Sequence, residues 1–257
     1  MKRGTLYLVP TPLDFGVAEA AAPLAQLLPG DTLATAGRLT HWIAENAKSA
    51  RAFLKRVDAA VGLAAPLQEQ RIVELPRELH KRGDHSEGDQ PARAWLEPAL
   101  QGQDIGLLSE AGMPAIADPG SSVVRAAHGL GIAVCPLVGP VSLMLALAAS
   151  GLNGQSFAFV GYVAQEATAR GKRLRELEAL ASRGGQAQIL IETPYRNAAL
   201  LRALIETLQP GTRLAVASAL ALPTQQVRSA RVADWRRDAS MQAGLPLDLP
   251  AVFLFGP

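Results

Sequence analysis

The segment Ser109-Glu110-Ala111-Gly112-Met113-Pro114-Ala115-Ile116-Ala117-Asp118-Pro119-Gly120 gathers residue types that suit a small ligand. It follows an apolar run and precedes a helical pattern. That places it at the C-terminal end of a strand, where open α/β sheets hold ligands. Gly112 admits close backbone approach. Pro114 and Pro119 stiffen the turn, and Asp118 is placed to cap the next helix. A ligand loop and a rigid strand-to-helix turn both satisfy this pattern. Four other loops share the composition: Val9-Pro10-Thr11-Pro12, Leu137-Val138-Gly139-Pro140-Val141-Ser142, Glu192-Thr193-Pro194-Tyr195-Arg196 and Leu222-Pro223-Thr224. Each puts Pro, Gly or a hydroxyl near a strand end. Together they can line a cleft with backbone N–H and C=O groups, which suits a zwitterionic or nucleoside-like ligand better than a metal.

Other chemistries lack their residues. No G-x-G-x-x-G follows the first strand, and neither a Walker A loop nor a G-x-S-x-G elbow occurs. His41, His80, His85 and His128 lack metal-ligand spacing, and the single cysteine, Cys135, excludes an intrachain disulfide or a cysteine zinc site. No metal is expected.

The elements that must position these loops alternate between strand and helix. Strands are expected over 5–9, 31–36, 71–75, 105–110 and 132–138, with helices over 17–28, 38–47, 49–57 and 121–130. Residues 80–89 read as a surface loop, and Ser86 or Asp89 as the cap of a helix reaching about Leu100. After Gly139-Pro140 the pattern restarts. Helices are expected over 141–150, 166–182 and 196–208, and strands over 157–163, 187–192, 213–220 and 251–255. Over the first half the alternation implies a mostly parallel sheet covered on both faces. It also implies two α/β domains, residues 1–138 and 139–257, with a ligand cleft between them.

Composition sets outer bounds. The 257 residues are 49% hydrophobic and 19% charged, enough to bury a substantial core and to exclude wholesale disorder. Aromatics are only 5%, so the core rests on Leu, Val, Ile and Ala. A net charge of +2 is too small to demonstrate a polyanionic partner. Of 25 basic residues, 20 are Arg and 5 are Lys. The apolar run after Met1-Lys2-Arg3 is short for a signal peptide, and none later approaches the ~20 residues that span a bilayer. A soluble cytoplasmic protein is expected, without a membrane partner.

These residues resemble one family. Gly4-Thr5-Leu6-Tyr7-Leu8-Val9-Pro10-Thr11-Pro12 is similar to the opening of the RsmI family, the ribosomal RNA small-subunit cytidine 2′-O-methyltransferases. Ser109 to Gly120 resembles its S-D-A-G-T-P…D-P-G motif, and Leu137 to Ser142 its P-L-P-G-P. Residues 157–163 resemble its E-G-F strand, and Glu192 to Arg196 its E-T-P-H-R. The likeness covers nearly the whole chain, in order. It departs at Glu110 and Met113, which replace Asp and Thr. The family's E-D-T-R segment after the second strand is read at Ala34-Thr35-Ala36-Gly37-Arg38, and its R-E-L-T-K is replaced by Ala219 to Thr224.

The resemblance implies the tetrapyrrole (corrin/porphyrin) methylase superfamily. Its implied fold is two α/β domains holding S-adenosylmethionine (SAM) in the cleft between them, usually in a homodimer. Carried over by position, the cofactor residues are Pro10, Thr11, Pro12, Glu110, Ala111, Gly112, Met113, Pro114, Gly139, Pro140, Val141 and Ser142. The second domain adds Tyr162, Thr193, Pro194, Ala217, Ser218 and Ala219. The implied acceptor is ribosomal RNA, free or in the small subunit. Alternatives are a methyltransferase for a small molecule such as a tetrapyrrole, and a SAM-binding protein without catalysis. A ribose hydroxyl is weakly acidic, so a general base helps its transfer chemistry. Glu110 and Glu192 are the candidate catalytic carboxylates, with Glu110 also suited to holding SAM. Lys48, Arg51 and Lys55 form one basic face for RNA, and Arg170, Lys172, Arg173 and Arg175 another.

Overall fold

A computed structural model describes residues 2–14, 22–76 and 90–257. The chain divides into two compact units, Met1–Val141 and Ser142–Pro257.

In the first unit, β1 (Thr5–Leu8), β2 (His41–Ala44), β3 (Arg71–Glu74), β4 (Ile105–Leu108) and β5 (Ala133–Pro136) form a sheet ordered β3-β2-β4-β1-β5. Every pair is parallel. Such a sheet buries both faces, and consecutive side chains feed opposite cores. Ile43, Ile105 and Leu107 pack in one core with Leu6, Val123 and Leu96. Trp42, Ala44 and Leu108 pack in the other with Leu33, Leu54 and Val57. Trp42 requires a bare neighbour: a Cβ on Gly106 would lie 2.3 Å from its ring, and its Nε1 donates to Gln70 Oε1 at 2.8 Å.

Two expected elements are exchanged. Residues 31–36 are helical, within Gly30–Arg38, and the expected helix over 38–47 contains β2. Thr32, Leu33, Ala36 and Gly37 are buried at 3–4 residue spacing, so the apparent alternation was one helix face. The buried run Trp42-Ile43-Ala44 belongs to a strand covered on both faces, which periodicity cannot separate from a buried helix. Asn46 then caps the helix Ala47–Val61, its side chain accepting from Lys48 N and Ser49 N. Of the helix expected over 17–28, Leu24–Leu27 is helical, while 17–21 lie outside the described residues. The 80–89 loop, with Ser86 and Asp89, also lies outside them. The chain is helical over Gln90–Trp95 and Glu97–Leu100.

In the second unit, β6 (Phe157–Gly161), β7 (Ala187–Ile191), β8 (Arg213–Ser218), β9 (Gln226–Arg231) and β10 (Ala251–Gly256) are ordered β6-β7-β10-β8-β9. Only β6 and β7 are parallel; β10 runs against both β7 and β8, and β9 against β8. The second sheet is therefore mainly antiparallel. The reason is β9, an unanticipated strand whose six residues include two arginines and show no apolar alternation. It hairpins onto β8, and β10 then inserts between β7 and β8. All six residues of β10 are buried. Phe253 and Phe255 pack with Leu190, Val216, Leu204 and Trp235. The helix Ser142–Ser150 lies against β8, β9 and β10. No helix among the described residues is long and apolar enough to cross a membrane.

Candidate functional site

Within the first unit, the loops after β1, β4 and β5 leave the same edge of a parallel sheet. Two of them are tied directly: Thr11 N donates to Gly112 O at 2.9 Å, and Gly112 N to Thr11 O at 3.1 Å. Gly112 has φ +81°. The third presses on the first. A Cβ on Gly139 would stand 2.2 Å from Pro10 Cγ, so only glycine permits this approach. Pro140 O lies 3.5 Å from the position of a Cβ on Gly112. Pro10, Thr11, Gly112, Gly139 and Pro140 are therefore one cluster, with Pro12 buried beside it. Val141 closes this unit, and Ser142 opens the first helix of the next.

The 109–120 loop is strained. Ala115 and Ala117 hold φ of 65° and 64°. The other two non-glycine residues with positive φ among those described are Ala219 (55°) and Ala221 (66°), in the loop after β8. Strain of this kind costs ~1–3 kcal/mol per residue and gathers where ligands are clamped. Asp118 does not cap the next helix: Gly120, at φ +136°, is the N-cap, and no side chain bonds there. Instead Asp118 is largely buried and its pKa is pushed up to about 7. Burial is the main cause, followed by the Glu45 carboxylate, with Glu110 adding and Ser109 opposing. Glu110 is exposed, and its N–H donates to Glu45 Oε2 at 3.1 Å.

Sequence reasoning missed the roles of both Glu45 and Asp118. Asp118 passed as a cap because Asp one turn before a helix normally is one. Glu45 was hidden by the misread strand. Since β2 ends at Ala44, the segment after the second strand is Glu45-Asn46-Ala47-Lys48, not Ala34 to Arg38. Its Glu falls where E-D-T-R begins.

An open apolar groove of about 570 Å³ flanks the loop, walled by Met113, Pro114, Ile116 and Val124, with Arg125 and His128 in its lining. Among the described residues no group of three or more His, Cys, Asp or Glu side chains is placed to hold a metal ion.

In the second unit, Tyr162, Glu192 to Pro194 and Ala217 to Ala219 stand at the C-terminal ends of β6, β7 and β8. These ends share one edge, because Ile191 and Ala217 both pair with Val252 of the antiparallel β10. Glu192 Oε1 accepts from Thr193 N at 2.8 Å, Thr193 Oγ1 at 3.3 Å and Arg196 Nη2 at 2.7 Å. Ser218 Oγ donates to Pro246 O at 2.6 Å, and Ala219 N to Pro250 O at 2.9 Å. Pro194 occupies the first turn of the helix Pro194–Thr207. Elsewhere, Lys48, Arg51 and Lys55 are exposed on one helix, and Lys172, Arg173 and Arg175 on another, with Arg170 half-buried.

Loop clusters at strand ends are where open α/β sheets hold their ligands. The family described as Tetrapyrrole (Corrin/Porphyrin) Methylases matches residues 44–235, and the chain belongs to that family of methyltransferases. Among named relatives it is similar to Ribosomal RNA small subunit methyltransferase I of Pseudomonas aeruginosa, with 28% identity over 95% of this chain and 77% of that one. To the proteins of the same name from Xylella fastidiosa and Halalkalibacterium halodurans it is 36% and 29% identical, over 68% and 76% of this chain. Those two alignments span only 54% and 57% of the relatives' own lengths. Among solved structures it resembles a cobalt precorrin-4 methyltransferase of cobalamin biosynthesis (TM-score 0.54, 12% identity, 98% and 94% of the two chains). It also resembles the uroporphyrin-III C-methyltransferase of Thermus thermophilus (TM-score 0.52, 17% identity, 98% and 97%). These structural likenesses concern the fold.

Proposed function

We propose that this chain transfers a methyl group from SAM to the ribose 2′-oxygen of a cytidine in small-subunit ribosomal RNA. The carrying observation is the placement of backbone strain. Among the described residues, every non-glycine positive φ falls in the 109–120 loop or the loop after β8, both expected from sequence to hold the cofactor. The relatives' names supply the acceptor.

The residues fit the donor. SAM is a zwitterionic nucleoside, and a wall of backbone amides with small or apolar side chains suits it. The Thr11–Gly112 bridge and the bare Gly139 under Pro10 form such a wall. In this reading Pro10, Thr11, Pro12, Glu110 to Pro114 and Gly139 to Val141 hold the donor from the first unit. Ser142, Tyr162, Thr193, Pro194 and Ala217 to Ala219 do so from the second. When bound, SAM supplies a methyl carbon already activated by its sulfonium, so alignment accounts for much of the rate.

The acceptor hydroxyl must lose a proton. Glu192 is committed to Arg196 and the Thr193 N–H, so its role is to fix the loop after β7. Glu110 is exposed. Asp118, whose pKa burial and then the Glu45 carboxylate push up to about 7, sits on the same 109–120 loop as the proposed donor residues, and it is the proton acceptor to test. Partly filled apolar surface supports the homodimer: Met144 and Leu145 are exposed on a helix that is apolar on nearly every side.

The test is transfer of labelled methyl from SAM to undermethylated small ribosomal subunits, with free ribosomal RNA and a small-metabolite extract in parallel. Label at one cytidine ribose is the expected result. Label confined to the metabolites would overturn the RNA acceptor, and SAM binding without any transfer would point to a non-catalytic binder.

A further inference from the structure

Resting on that RNA reading, we infer that Tyr195, backed by Arg196, is a stacking platform for an unpaired base of the RNA acceptor.

The chain has three tyrosines, and two of them, Tyr162 and Tyr195, stand exposed at the C-terminal edge of the second sheet. Tyr195 is 80% exposed and Tyr162 58%. A single exposed aromatic is unremarkable. This one is built in. Arg196 lies over the Tyr195 ring at 5.2 Å, covering one face. The guanidinium is itself pinned by Glu192 at 2.7 Å, through a carboxylate that is nearly fully buried. The Glu192 hydrogen bond is the main support of the Arg196 charge, and both Tyr195 and Tyr162 lie near enough to act on the same guanidinium. Tyr195 also follows Pro194 in the first turn of a long helix, which fixes its backbone.

An aromatic ring with its second face in water, held rigid by a planar cation, is the arrangement that receives a splayed-out base. The ordering cost is met on folding rather than on binding. Arg196 adds a positive charge close to where a backbone phosphate follows such a base. Of the residues lining the apolar groove of the first unit, His128 alone carries an aromatic ring, smaller than that of Tyr195. The exposed lysines and arginines of the two basic helices can attract phosphates. Stacking chemistry would also suit the adenine of SAM, so both sources must be tested.

The experiment compares wild type, Tyr195→Ala and Tyr195→Phe. Affinity for a fluorescein-labelled single-stranded RNA is read by anisotropy at several salt concentrations, and SAM affinity by calorimetry. Loss of one stacked base weakens RNA binding by roughly 10-fold, within a ~5- to 150-fold range. Tyr195→Ala should show that loss with an unchanged salt slope, since no phosphate contact is removed. Tyr195→Phe should keep wild-type affinity, and SAM affinity should hold in both. A fall in SAM affinity with RNA binding intact would assign the ring to adenine and overturn the inference, as would unchanged affinity for both ligands. A wild type that methylates no RNA, yet loses RNA binding on Tyr195→Ala, would remove the proposed reaction and leave the platform standing. Intact RNA methylation with equal RNA binding by wild type and Tyr195→Ala would do the reverse.

Discussion

Asp118 gives the protein a titration near neutrality. Its folded pKa of about 7 exceeds its ordinary value of 3.8, so the folded state binds the proton more tightly. The associated stability is full below about 3.8, declines as pH rises toward 7, and is lost above it. Asp118→Asn, which cannot ionise, should therefore melt higher than wild type above pH 7. The difference is a few kcal/mol at most, at about 1.4 kcal/mol per pH unit, and closes toward pH 4. Thermal melts across that range measure it. The same variant should transfer methyl ~10²–10⁴-fold more slowly if the carboxylate accepts the proton, and the wild-type rate should rise with pH through about 7. Gly139→Ala tests the contact beneath Pro10. With 2.2 Å available, the two loops must part. Denaturant unfolding should show a loss of about 1–3 kcal/mol, and SAM affinity should fall with it.

At the scale of elements, the cap of the Ala47–Val61 helix is a clean target. Asn46 Oδ1 serves Lys48 N at 2.9 Å and Ser49 N at 3.2 Å. Asn46→Ala should cost about 1 kcal/mol, read as a lower denaturant midpoint with an unchanged slope. The same place shows what sequence can and cannot reveal. The helix behind Asn46 was legible because Ala50, Phe53, Leu54 and Val57 repeat at helical spacing and are all buried. The strand in front was not, because Trp42, Ile43 and Ala44 are buried from both sides and carry no period. Missing it displaced Glu45 from the site. The placement of the loops at strand ends was legible despite these errors, since Pro, Gly and Thr act there through local backbone geometry. Asp118 was mislocated in role because its acidity is set first by burial in the folded loop and then by Glu45, 73 positions away in the chain. β9 escaped because its pairing is fixed by β8, not by its own residues.

For the whole molecule, the exposed apolar face of the Ser142–Ser150 helix bears on assembly. Met144→Glu places a charge there without touching the buried Leu143, Ala146 and Leu147. Sedimentation should show wild type as a dimer and the variant shifted toward monomer, with circular dichroism unchanged. A monomeric wild type would exclude the homodimer.

The order of strands also governs how the protein can be made. In the first unit β4 enters between β2 and β1, and the last strand, β5, is then added at an edge. The second sheet is closed by β10, which enters between β7 and β8 and joins both. Until Gly256 has been polymerised, β7 and the β8–β9 hairpin present two unpaired edges with no sheet to share. The nascent second unit thus depends on chaperones or on speed, and a chain that stops short of β10 would be sticky and degradable while lacking no residue of the first unit.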